Sequence, residues 1–80
     1  MDAELSFGQW LKRRRKAFDL TQDQLAREVG CAVGTIRKLE ADALQPSREI
    51  AGRLADQLGV PIEARADFVS FARGRPHAGA

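Results

Sequence analysis

Residues 21–41, TQDQLAREVGCAVGTIRKLEA, decide how the remainder of the chain is arranged. Thr21 and Gln24 have the spacing of a capping box, which predicts a helix starting there. Leu25, Ala26 and Val29 recur at helical spacing behind it, and Gly30 supplies the left-handed residue that closes the helix. A second helix is predicted from about Val33 to Ala41. At about 100° per residue, Ile36, Leu39 and Glu40 share one side of it. Gly34, Lys38 and Ala41 lie opposite, with Thr35 and Arg37 on the flanks.

Moving outward, Ser6 is a plausible N-cap for a helix running to about Phe18. Phe7, Trp10, Leu11, Ala17 and Phe18 trace its apolar side, and Asp19 tolerates the left-handed turn that follows. Beyond a loop at residues 42–46, Ser47 caps a helix with Ile50, Ala51, Leu54, Ala55 and Leu58 on one stripe. Gly59 ends it, with Pro61 just past the end. A fifth helix from about Ile62 to Ala72 turns Phe68, Val69, Phe71 and Ala72 inward and stops at Gly74. No segment alternates at period two, so no strand is predicted and the fold class is all-α. One domain is expected over residues 1–73, frayed before Ser6, with GRPHAGA at 74–80 as a tail or linker. Phe7, Leu11, Phe18, Leu25, Val29, Ile36, Leu39, Ile50, Leu54, Leu58 and Phe68 are the expected core.

Eighty residues with 44% hydrophobic and 30% charged content suit one small globular domain of modest stability. Neither a membrane span nor a signal peptide is visible, and one cysteine supports neither an internal disulfide nor a metal cluster. A cytoplasmic setting is therefore expected. No catalytic constellation or cofactor motif occurs, so an enzyme is not expected. Thirteen basic residues face eleven acidic ones, and a net charge of +2 says little about nucleic acid. The distribution says more, because Lys12, Arg13, Arg14, Arg15 and Lys16 form an unbroken basic run. Such a run is either the solvated side of an amphipathic helix or a polyanion patch, depending on where it stands relative to the helix at 33–41.

Two short helices across a glycine turn are the outline of a helix-turn-helix. The residues L-T-Q-x-x-L-A-x-x-V-G-C-x-V-x-T-I-R-K-L-E at 20–40 resemble the Cro/C1-type (XRE-like) helix-turn-helix of bacterial and phage regulators. The resemblance covers roughly Phe7 to Phe71 and implies a compact five-helix bundle of the lambda-repressor-like type. It implies double-stranded DNA as partner, with the third helix in the major groove, and hence a nucleoid-associated protein. It also implies a phosphate contact for Gln22 and a structural ion pair between Arg15 and Glu40. Two departures stand out: Asp19 where the family more often has Gly, and Ala32 where a capping Ser or Thr is common.

On this reading the DNA-facing set is Gln22, Ala32, Val33, Gly34, Thr35, Arg37, Lys38 and Arg48. Gln22 at a helix N-terminus suits a phosphate, and Thr35 another. Ala32, Val33 and Gly34 can touch thymine methyls or admit close approach, but donate no side-chain hydrogen bonds. Arg37 and Lys38 are the long polar readers, reaching either a guanine or a phosphate, and Arg48 either reaches the backbone or is simply solvated. Cys31 reads as a packing residue and His77 as inert. The competing function is a protein-interaction module on the same fold that no longer reads DNA. FGxWLKRRRKAFDLTQ resembles the head of long bacterial regulators, so a homodimer or additional C-terminal domains are expected to complete the protein.

Overall fold

A computed structural model describes residues 5–74. The expected fraying before Leu5 and most of the expected tail, His77 included, lie outside the described residues. The helices are α1 (Phe7–Ala17), α2 (Gln22–Val29), α3 (Val33–Glu40), α4 (Arg48–Gln57) and α5 (Arg65–Ala72). A 3-10 turn at Ile62–Ala64 leads into α5, where one continuous helix was expected. Pro61 precedes that turn, and Ile62 is 81% exposed, so no apolar contact draws this end into the helix.

Local chemistry accounts for most boundaries. The Ser6 hydroxyl accepts from Gln9 N–H while the Gln9 side chain accepts from Ser6 N–H, a reciprocal cap that starts α1. Thr21 and Gln24 do the same for α2. Ser47 Oγ accepts from Ile50 N–H at α4. Gly30 closes α2 at φ 85°, and Asp19 takes the left-handed turn after α1 at φ 57°. Such a conformation is uncommon outside glycine but most tolerable for Asp and Asn.

The core runs through the middle of the bundle. Leu11, Leu25, Ile36, Leu39, Leu54 and Leu58 are fully buried, and Phe7 and Phe68 nearly so. α3 packs against both α1 and α2, while α4 lies between α2 and α5. Two expected core residues differ. Ile50 is half-buried at the margin, and Phe18 is 45% exposed. Phe18 is the C-cap of α1 rather than part of it, so its ring leaves the helical stripe and lies under the Arg14 guanidinium, 5.7 Å from the ring centre. Phe71, also expected inward, is 38% exposed. It stands at the end of an aromatic cluster with Phe7 and Trp10 instead of in the centre. Among the described residues no helix is long and apolar enough to cross a membrane.

Candidate nucleic-acid interface

Burial of Ile36 and Leu39 sets the rotation of α3. With those two residues inside, helical geometry turns Gly34, Arg37, Lys38 and Ala41 outward. Arg37, Lys38 and the N-cap Ala32 are exposed, while Gly34 and Thr35 are half-buried. Val33 is half-buried too and packs against the core, which leaves only part of its side chain for a ligand. Ala32 has extended backbone but offers no side-chain hydrogen bond, so the N–H groups at this helix start lack a side-chain cap. A Cβ built on Gly34 would meet nothing within 4 Å. The fold therefore has no internal steric need for glycine there, although glycine inside a helix costs about 0.5–1 kcal/mol relative to alanine.

The other end of α3 is held by a polar cluster. Arg15 Nε donates to Glu40 Oε2 at 2.6 Å and Arg15 Nη2 to Oε1 at 3.2 Å, while Nη1 donates to the Leu20 carbonyl at 2.8 Å. Both side chains of the pair are almost fully buried. The Gln22 amide completes the set, donating to Glu40 Oε1 at 3.1 Å. Gln22 is half-buried, with one amide N–H committed to Glu40 and the second open to another acceptor. A carboxylate withdrawn from water draws in every donor within reach, and Gln22, in the first turn of α2, is within reach. Asp23 adds negative charge to the same turn.

The basic run divides. Arg15 is buried in the cluster, and Arg14 Nε donates to the Leu58 carbonyl at 3.0 Å with its guanidinium over Trp10 and Phe18. Lys12, Arg13 and Lys16 remain exposed. Arg48 is exposed at the start of α4, where it lines a groove with Ala66, Val69, Ser70 and Arg73. It therefore borders α5.

Two residues that hold the site in place were not singled out by the sequence reading. Asp42, left-handed at φ 59°, accepts from Gly8 N–H through Oδ1 at 2.9 Å and from the Ser6 hydroxyl through Oδ2. A carboxylate just past α3 thus caps the start of α1. Gly8 is the second: a Cβ there would lie 2.5 Å from the Glu40 carbonyl oxygen and 2.7 Å from that of Leu39. A glycine in the first turn of a helix, where nothing local asks for one, was the available signal. Cys31 sits half-buried in the α2–α3 turn. Burial pushes its thiol pKa up, partly offset by the nearby Arg53 charge, so the reactive thiolate is scarce at neutral pH.

No curated protein and no solved structure matches the chain significantly. The family model for the helix-turn-helix, of the Cro/C1 type, matches residues 11–64. That span is well over half of the chain and contains α2, the Gly30 turn and α3 in full. Five helices among the described residues, with α2 and α3 set across a glycine turn, in a chain whose larger part matches that model, make this protein a member of the helix-turn-helix family of Cro/C1 type.

Proposed function

We propose that this chain binds double-stranded DNA as a transcriptional regulator or as the DNA-binding domain of one, laying α3 in the major groove. The observation that carries this reading is the outward face of α3. An exposed Arg37 and Lys38 flank a glycine that no internal contact requires. A surface built for close approach to a polyanion has this composition: small at the centre, cationic at the sides. Ala32, Val33, Gly34 and Thr35 would approach the bases and one phosphate, and Arg37 and Lys38 would reach a guanine or the backbone. Arg48, at the start of α4, would contact a phosphate. Gln22 would offer its helix start and the amide N–H that Glu40 does not take.

Few of these groups can hydrogen-bond base edges, so affinity rests mainly on the backbone and on salt. With about three or four charged phosphate contacts, the slope of log K against log salt should be about −3 to −4. A monomer should discriminate poorly between sequences, with specificity arising when a dimer or a longer chain presents two copies. The test is a titration of labelled duplex DNA at several salt concentrations with wild type and Lys38→Ala. Lys38→Ala should weaken binding and reduce the slope by about 1; if Lys38 reads guanine, preference at one base pair should flatten as well. The competing reading is a protein-interaction module, favoured by the exposure of Phe18, Leu44 and Ile62. No duplex binding at low salt would promote it and sink the DNA reading.

A further inference from the structure

The basic run of α1 is not consumed by the contacts described above, and its three exposed members point in different directions. The side of α1 that faces α3 is marked by two residues: Gly8, which abuts the last carbonyls of α3, and Arg15, which binds Glu40. Seven residues apart, they lie on nearly one line along the helix. Lys12 lies four residues after Gly8 and three before Arg15, which places it about 40–60° around the helix from that line. Its side chain is exposed, and no ion pair to it forms among the described residues. The carboxylates of this seam are already committed, Glu40 to Arg15 and Gln22, and Asp42 to Ser6 and Gly8. Arg13 stands on the far side, in a shallow groove with Leu5, Trp10, Arg14 and Ala17. Lys16 falls between the two.

The geometry points to Lys12 as a DNA-backbone contact, placed where α1 meets the C-terminal end of α3. It extends the proposed interface from α3 onto α1. The inference rests on the DNA-binding reading and names one further ligand for the same polyanion. A compact ammonium on a flexible stem suits a phosphodiester oxygen at the margin of the groove, where charge matters more than fixed geometry. The phosphate it takes is distinct from the one at the start of α3, because Lys12 sits at the opposite end of the recognition helix. Arg13 carries the same charge in the adjacent sequence position and faces away. Total charge alone would make the two equivalent; position makes them different.

The experiment titrates labelled duplex DNA across several salt concentrations with wild type, Lys12→Ala, Arg13→Ala and Lys38→Ala, and records a melting curve for each. Lys12→Ala should weaken binding several-fold at low salt and reduce the salt slope by about 1, while Arg13→Ala leaves the slope near wild type. Lys12→Arg should restore the slope. Equal losses for Lys12→Ala and Arg13→Ala would show only the long-range effect of net charge and overturn the assignment. A lowered melting temperature for Lys12→Ala with an unchanged slope would overturn it too, because Lys12 would then be serving the C-terminal end of α3. An unchanged slope for Lys12→Ala beside a reduced one for Lys38→Ala would overturn this contact and leave the DNA reading standing. Failure of wild type to bind duplex at low salt would remove both.

Discussion

α1 makes two seams of opposite character. Toward α3 it is polar and close: Gly8 against the last carbonyls, Asp42 on the helix start, and the Arg15–Glu40–Gln22 cluster near the other end. Toward α5 it is aromatic: Phe7 and Trp10 meet Phe68 and Phe71 at ring-centre distances of 5.1–6.5 Å, mostly tilted or edge-on. The first seam is directional. Its hydrogen bonds and the missing Cβ tolerate little displacement, so it fixes where α3 stands. The second is adhesive. Dispersion and burial hold it, and its outermost ring, Phe71 at 38% exposure, can slide or be replaced by another apolar shape. The helix proposed to read DNA is held by the directional seam, which suits a part whose angle to a groove matters.

The comparison is most exposed to change at Glu40. Glu40→Ala leaves a buried guanidinium with only the Leu20 carbonyl among its present partners and should cost about 3–5 kcal/mol. Denaturant unfolding of Arg15→Met, Glu40→Leu and the double variant should show the double costing less than the sum of its parts. Additive losses would mean that the polar seam has no cooperative character.

Gly8→Ala comes next. The added methyl cannot avoid two backbone carbonyls, so α1 or α3 must shift, at about 1–3 kcal/mol. An unchanged melting temperature would show that the seam can give after all. On the aromatic side, Phe71→Leu should cost under about 1.5 kcal/mol, since it exchanges one partly exposed apolar shape for another. A loss as large as that at Gly8 would erase the distinction between the seams. The smallest effect is expected at Ala32, the start of α3, remote from the cluster that holds its other end. Ala32→Ser supplies the missing cap and should raise stability by about 0.5–1 kcal/mol, read from thermal unfolding. No gain would indicate that the N–H groups there are already satisfied.

The all-α class, the starts of α1 to α4 and most of the buried stripe were legible in the residues, because caps and amphipathic spacing act within three or four positions of sequence. Thr21 with Gln24, Gly30, Ser47 and the pair Ile36 and Leu39 carry their own instructions wherever the chain goes. The candidate site was legible in part. Residue type and helical spacing place Arg37 and Lys38 on the outside of α3, but the same reading could not say that Gln22 would turn inward to Glu40. The family resemblance set Arg15 apart for Glu40, but nothing in KRRRK could send Arg14 to Leu58 and the rings and leave Lys12, Arg13 and Lys16 to solvent. Asp42 capping α1, the close approach at Gly8 and the exposure of Phe18 and Phe71 belong to the same class. Each depends on a neighbour distant in sequence, and a carboxylate or a ring has no preferred partner until the helices have packed. Sequence alone settled what the helices are and which side of each is apolar; tertiary structure decided which polar groups meet, because that is set by the angle and offset at which those helices cross.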